Sequence, residues 1–195
     1  YKEIFKLIKE NKMWLGCSIH SGDREFQVPN RYVLHSPSKR IDEKGNQFVR
    51  VSGVRWFSNL DYRERHEDLL LWREYRADAY PFYENYDAIN VDKTADIPLD
   101  YFGNIGVPIT FLDKYNPDQF EIVELGIVGS CTFSNNRRME ILKDGKPTGK
   151  FTYNGKGTLY RLYNPKKDKK PPAFKDVESG ALYTSIYARI IIRRK

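Results

Sequence analysis

The chain has 195 residues, 40% of them hydrophobic and 30% charged, which is typical of one globular domain, or of a small domain plus a fragment. No apolar run reaches about 18 residues, so we expect no transmembrane helix. The two cysteines and three histidines form no metal-binding motif. We therefore expect no metal site, and two reduced cysteines in a cytoplasmic protein.

The net charge of +7 is distributed unevenly along the chain. Residues 1–62 carry a charge of +4, residues 63–130 carry −8, and residues 131–195 carry +11. A basic block with interleaved aromatic residues is typical of a nucleic-acid-binding surface. A charge-rich surface without a partner explains the pattern equally well, so charge alone leaves both interpretations open.

The first third of the chain predicts a helix followed by strands. Residues 1–11 have the apolar stripe of a short amphipathic helix, and "MWLG" at 13–16 follows as a short buried strand. A helix that leads into a strand indicates an α/β sheet. Residues 45–58 predict a β-hairpin, preceded by a turn at 42–46, with Gly53 at a bulge or a sharp bend.

The middle of the chain predicts one long helix and one long loop. Residues 62–80 have the strongest helical periodicity in the sequence, and Pro81 ends that pattern. Residues 81–105 have no clean period, and loops of this length are often functional.

The remainder predicts mostly β structure from residue 106 onward, with a tight turn at Asp144-Gly145. Residues 165–180 are basic and rich in proline, which predicts a mobile flap. Residues 182–195 predict one long closing strand.

One pattern in the sequence has catalytic potential, although no glycine-rich nucleotide loop or nucleophile elbow is present. Pro117-Asp118 and Asp144-Gly145-Lys146 match the loose PD…(D/E)xK spacing of nucleases, in which two carboxylates and a lysine hold a metal ion and activate water. Both segments also resemble turns, whereas this chemistry needs carboxylates on a rigid strand. A nuclease is therefore the least favoured alternative.

Four long stretches are distinctive: "VRWFSNLD" at 54–61, "ENYDAINVDKTADIP" at 84–98, "GVPITFLDKYNPDQFEIV" at 106–123 and "YARIIIRRK" at 187–195. Together and in this order, they resemble the C-terminal half of adenine-specific DNA methyltransferases of the EcoRI type. The resemblance implies transfer of a methyl group from S-adenosylmethionine to the exocyclic amine of adenine in double-stranded DNA. It also implies a bacterial restriction–modification enzyme, or one from a phage or mobile element.

The family's cofactor pocket and its Asn-Pro-Pro-Phe catalytic loop lie N-terminal to every stretch that resembles it, and this sequence has neither. The chain also begins with Tyr1 and not with Met, so we expect a piece of a longer enzyme. In an α/β (α+β) fold, residues 1–62 would be the C-terminal portion of a Rossmann-like methyltransferase sheet with its β-hairpin. Residues 63–195 would be a mostly β target-recognition region.

On this interpretation the chain holds no catalytic residue and binds no S-adenosylmethionine by itself. The alternative is a stand-alone nucleic-acid-binding module without enzyme activity. The sequence upstream of the chain would distinguish the two, because a methyltransferase needs its Asn-Pro-Pro-Phe loop there.

The adjacent aromatic residues Trp56 and Phe57 are candidates for a base pocket. Base-modifying enzymes extrude their target base and hold it by stacking, and the resemblance implies a hairpin that supplies an aromatic wall. We predict that one of the two is this wall and the other lies in the core, with Asn59 in the pocket and Arg55 on a phosphate or base edge. Alternatively, both rings pack, one on each face of a half-covered sheet.

The polar segment at 134–138 is equipped to read a DNA sequence. Arginine binds guanine and asparagine binds adenine through paired hydrogen bonds in the major groove, which makes Asn135, Asn136, Arg137 and Arg138 candidates. A polar loop without a partner is an equally good explanation. Lysines suit phosphates, with little sequence information. The lysine candidates are Lys93, Lys143, Lys146, Lys150, Lys156 and the lysines between 166 and 170.

Overall fold

A computed structural model describes residues 2–16, 23–33, 35, 37–126, 137–153, 159–186 and 188–195, which form two compact units. The small unit is Met13–Tyr62, and the large unit combines Tyr1–Lys12 with Arg63–Lys195. The fold is mixed α/β with mostly strands, as the sequence predicts. In the described part of the chain, α1 (Lys2–Lys9) is the one α-helix, and no helix is long and apolar enough to cross a membrane. The functional division at residue 62 stays a prediction.

The described residues of the small unit form two antiparallel sheets. Its strands are β1 (Trp14–Leu15), β2 (Arg24–Val28), β3 (Lys39–Ile41), β4 (Gln47–Val51) and β5 (Phe57–Ser58). β1 pairs with β5, and β4 lies between β2 and β3. The predicted turn at 42–46 is confirmed and joins β3 to β4, because the Asp42 carboxylate accepts hydrogen bonds from the backbone N–H groups of Lys44 and Asn46.

The predicted hairpin over 45–58 is wrong. Gly53 has a φ of 66° and makes the predicted sharp bend, a conformation that costs glycine no steric strain. After this bend the chain leaves β4, and β5 pairs with β1 instead. The two halves of the predicted hairpin therefore belong to different sheets.

In the large unit, the part of the chain that the structure describes forms a four-stranded and a five-stranded sheet. Its strands are β6 (Ile89–Asn90), β7 (Ile105–Pro108), β8 (Phe120–Gly126), β9 (Met139–Lys143), β10 (Lys146–Thr152), β11 (Leu159–Leu162), β12 (Phe174–Asp176), β13 (Leu182–Ile186) and β14 (Arg189–Arg194). The strand orders are β6-β7-β14-β8 and β10-β9-β12-β13-β11. Of these pairings, only that of β6 with β7 is parallel.

The core of the large unit follows from apolar residues in its central strands. Ile190, Ile191 and Ile192 on β14 are fully buried, and consecutive strand residues point to opposite faces, so both faces of β14 are covered. Leu159 and Ile186 of the five-stranded sheet pack in one cluster with Ile191 of the four-stranded sheet. The two sheets of the large unit therefore share a hydrophobic core.

The predicted helix at 62–80 is wrong. Arg63–His66 form a single 3₁₀ turn, and residues 67–80, all of them described, contain no helix. The side-chain amide of Gln119 accepts a hydrogen bond from the backbone N–H of Leu69 and donates one to its carbonyl, both at 2.8 Å. This distant amide takes the backbone groups that a helix would pair internally, and the apolar side chain of Leu70 is 86% exposed.

The segment at 81–105 is mostly irregular, as the sequence predicts, and its functional role stays a prediction. It contains β6, and Ala88, Ile89, Val91 and Ile97 are at most 1% exposed. The segment is held in place by burial.

Two expectations for the C-terminal segment are corrected as well. Residues 165–180 do not form a mobile flap, because β12 lies between β9 and β13 within the five-stranded sheet and Phe174 is buried. The single strand expected at 182–195 is two strands in different sheets, β13 and β14, and Ala188 between them has a φ of 38°.

Candidate nucleic-acid interface

Trp56 and Phe57 have different surroundings in the small unit. Phe57 lies in β5 opposite Leu15 and is half-buried, whereas the Trp56 side chain is 50% exposed. The Trp56 carbonyl accepts a hydrogen bond from the backbone N–H of Gly16 at 2.9 Å, and the Phe26 ring meets the indole edge-on at 6.4 Å between centroids. The Trp56 ring therefore packs against Phe26, and half of its side chain is accessible to solvent.

The residues after the aromatic pair are held by local hydrogen bonds. The Trp14 indole N–H donates to the carbonyl of Leu60, and the backbone N–H of Leu60 donates to the Ser58 hydroxyl, both at 2.9 Å. Asn59, between these residues, is exposed, and Arg55 is half-buried. An exposed aromatic ring suits stacking on a base, and Arg55 and Asn59 are close to Trp56 in sequence.

The second candidate surface is the β9–β10 hairpin of the large unit. Its turn residues Asp144 and Gly145 both have positive φ angles, 51° and 76°, which confirms the predicted tight turn. β10 is one of the two edge strands of the five-stranded sheet. The predicted phosphate contacts Lys143, Lys146 and Lys150 are all exposed on this hairpin.

Arg138 stands at the base of the same hairpin. Its guanidinium lies over the Phe151 ring, 4.2 Å from the centroid, and Phe151 is 46% exposed. Stacking on an aromatic ring fixes the plane of a guanidinium and leaves its N–H edge available for a planar acceptor such as a guanine edge. Sequence analysis missed Phe151, although the tight turn between β9 and β10 could have indicated its approach to Arg138.

Arg137 is engaged within the protein. Its Nη1 lies 2.5 Å from the Glu84 carboxylate and donates to the Tyr183 hydroxyl at 2.8 Å. The carboxylate of Glu84 raises the pKa of Arg137 above its ordinary value. The geometry therefore favours Arg138 over Arg137 as a base contact.

Other sequence candidates lie outside the described residues or elsewhere in the large unit. Asn135, Asn136 and Lys156 lie outside the described residues. Lys93 is exposed on the segment that precedes the 3₁₀ turn Thr94–Asp96. No described contact links it to β9 or β10.

The alternative nuclease pattern lacks its geometry. Asp144 lies in the hairpin turn, and Asp118 lies in another turn, where its backbone N–H donates to the Asn116 side-chain oxygen at 2.8 Å. Neither carboxylate is on a strand. Over the ranges that the structure describes, no group of three or more His, Cys, Asp or Glu side chains could hold a metal ion.

Similarity to known proteins identifies the family. The chain matches the family described as adenine-specific methyltransferase EcoRI along residues 1–195. The chain belongs to this family. The type II methyltransferase M.EcoRI of Escherichia coli is 49% identical over 144 residues, covering 68% of this chain and 44% of that protein. The type II methyltransferase M.MpnI of Mycoplasma pneumoniae is 39% identical over 128 residues, which cover 64% of this chain and 40% of that protein. No solved structure matches the chain significantly.

The chain aligns with less than half the length of either relative. That the chain alone binds no S-adenosylmethionine, the methyl donor that the family implies, stays a prediction. A cavity of about 310 Å³ in the large unit is lined by polar groups that already bind one another: the Tyr80 hydroxyl donates to the Asp96 carbonyl, and the Asn90 amide donates to Asp92. The sequence also lacks the glycine-rich loop of a nucleotide site, so we derive no methyl-transfer step for this chain.

Proposed function

We propose that this chain is the C-terminal DNA-recognition part of an S-adenosylmethionine-dependent, adenine-specific DNA methyltransferase. The remainder of the enzyme would supply the cofactor pocket and the catalytic loop, and double-stranded DNA in the cytoplasm would be the substrate. The family match along the whole chain supports this proposal over a stand-alone nucleic-acid-binding module. The chain's short span relative to its relatives supports its being one part of a longer enzyme.

The observation that carries the DNA-binding role is the exposed basic hairpin. Lys143, Lys146 and Lys150 project from β9 and β10, and Arg138 is held by a ring beside them. Lysines that neutralise phosphates release counterions and bind every DNA sequence alike. A guanidinium held in one plane can add discrimination between bases. The hairpin thus combines both elements of DNA recognition.

Lysine and proline on an edge strand also protect a sheet from pairing with other chains, and β10 has both. That role alone predicts no DNA affinity. The two explanations are therefore separated by a binding measurement.

The test is a salt titration in which fluorescence anisotropy measures the binding of the 195-residue chain to a random-sequence DNA duplex. If about six cations reach phosphates, the logarithm of the association constant falls with log salt with a slope of about −5. Lys146→Gln should weaken binding and flatten the slope by about one unit. Lys9→Gln on α1 is the matched control, since it removes the same charge from the same unit, and it should bind as the wild type does. A flat salt dependence in the wild type would exclude DNA as the partner.

A further inference from the structure

A second group of lysines lies on a loop with a fixed conformation. We define the lysine loop as residues 164–170, "NPKKDKK", between β11 and β12. Its four lysines, Lys166, Lys167, Lys169 and Lys170, are exposed, whereas its one acidic residue, Asp168, is turned inward. The positive charges of the loop are therefore exposed to solvent, and its negative charge is buried.

The inward side chain forms a buried ion pair with Arg161 on β11. Arg161 Nη1 and Nη2 donate to the two carboxylate oxygens of Asp168 at 3.0 and 2.7 Å, and the side chains are 7% and 10% exposed. Burial opposes the ionisation of Asp168, but hydrogen bonds from Arg161 and from the backbone N–H of Asn164 outweigh it and lower its pKa. The pair holds the centre of the lysine loop against the sheet.

Asn164 fixes the first half of the same loop. Its side-chain oxygen accepts a hydrogen bond from the backbone N–H of Lys166 at 2.9 Å, and its carbonyl accepts bonds from Lys167 and Asp168 at 3.0 and 2.8 Å. Lys167 also reaches the carbonyl of Asp78 at 3.5 Å. The backbone that carries the lysines is thus ordered before any partner binds.

The lysine loop leads directly to the turn of the basic hairpin. A Cβ atom built on Gly145 would lie 3.3 Å from the Cβ atom of Pro171, so the hairpin turn touches the residue that follows Lys170. Lys143 and Lys146 flank that turn. The end of the lysine loop that carries Lys170 therefore lies beside the turn between Lys143 and Lys146, which are 24 or more residues away in sequence.

We propose that the lysine loop and the hairpin turn form one preformed strip that binds the phosphate backbone of duplex DNA, with Arg161 and Asp168 as positioning residues. The identity of the partner rests on the proposed function. Of the carboxylates in segments 143–146 and 164–171, Asp168 is neutralised by Arg161, and Asp144 is the one other. A patch that serves solubility needs charge but no fixed backbone, whereas ordering before binding lowers the entropic cost of fixing side chains on a partner.

The first test removes charge from the lysine loop in the 195-residue chain. Lys166→Gln with Lys170→Gln should weaken binding to a random-sequence DNA duplex and flatten the salt slope by about two units. Lys6→Gln with Lys9→Gln on α1 removes the same charge and should leave the slope unchanged. Equal slopes for the loop variant and the wild type would overturn the proposal.

The second test separates position from charge. Asp168→Asn keeps all four lysines and makes the chain more positive, so charge alone predicts tighter binding. The strip predicts weaker binding, by about tenfold, because the loop loses its anchor. Tighter or unchanged binding in a folded Asp168→Asn variant would contradict the positioning role.

A third variant covers the outcome in which Asp168→Asn does not fold because Arg161 is left buried without its partner. Arg161→Leu with Asp168→Leu keeps the net charge and replaces the pair with apolar side chains, which buried pairs often tolerate. Circular dichroism checks its fold, and its DNA affinity should again fall by about tenfold. If both anchor variants unfold, the lysine substitutions alone decide.

The two levels of the proposal fail differently. If the wild type shows no salt-dependent DNA binding, the proposed function itself is wrong. If the wild type binds and Lys146→Gln weakens it, while the lysine-loop and anchor variants bind like the wild type, the strip is wrong and the hairpin role survives.

Discussion

The different exposures of Trp56 and Phe57 predict different consequences of removing each ring. If the exposed Trp56 ring is the wall that stacks on an extruded adenine, Trp56→Ala in the full-length methyltransferase should lower activity. The loss of stacking should be about 1–3 kcal/mol, and at 1.4 kcal/mol per factor of ten this is about 5- to 150-fold in activity. Phe57→Ala should lower stability without this loss.

The stability cost of Trp56→Ala can be worked from its environment. A fully buried aromatic side chain covers about 150–250 Å², and Trp56 is 50% exposed, so about 100 Å² is lost from the contact with Phe26 and its neighbours. At about 25 cal/mol per Å² this corresponds to about 2.5 kcal/mol. A domain of ordinary stability, about 5–15 kcal/mol, stays folded after such a loss.

The assay measures methyl incorporation into duplex DNA per folded molecule, with the folded fraction taken from thermal unfolding. Trp72→Ala is the matched control, because Trp72 is 63% exposed and stacks on Arg73 in the large unit, and it should change neither quantity much. Unchanged activity per folded Trp56→Ala molecule would refute the wall. A loss confined to Phe57→Ala would show that exposure is the wrong guide to which ring faces the base.

Four further predictions concern other parts of the molecule. Gly106→Ala should destabilise the chain in urea by about 1–3 kcal/mol, since a Cβ would lie within 2.2 Å of the Tyr83 hydroxyl, and an unchanged midpoint would show that this contact relaxes freely. Arg138→Ala should cost about 1–3 kcal/mol on the enzyme's own site and little on random duplexes; equal losses would make it a phosphate contact. Calorimetry should detect no binding of S-adenosylmethionine to the chain alone, and micromolar affinity would contradict its role as a recognition part. The folded-state pKa of Asp168 is lowered, so its pairing with Arg161 stabilises the fold above the unfolded-state pKa, about 3.9, and is lost as pH falls through the lower folded-state value. Acid unfolding below about pH 4 should therefore be shallower when Leu replaces both residues, and curves of equal steepness would argue against the pair.

The sequence by itself determined the features that depend on neighbouring residues. The tight turn at Asp144-Gly145 follows from two residue types that tolerate positive φ angles, and both residues have positive φ angles in the structure. The helix near the N-terminus follows from its apolar spacing. The long stretches that resemble the EcoRI-type family were also sufficient to indicate the family that the comparisons show.

Only the tertiary structure decided the features that depend on distant partners. The pattern at 62–80 is helical by periodicity, but the amide of Gln119, 50 residues away from Leu69, takes the backbone groups that a helix needs. The run "KKDKK" at 166–170 is typical of a mobile charged segment. In the structure, its one carboxylate points inward and pairs with Arg161. Hydrogen-bond partners and burial are set by packing between segments that are far apart in sequence. Local helix propensity yields to them, because the free energy of satisfying a buried polar group outweighs the small preference of a residue for one backbone conformation.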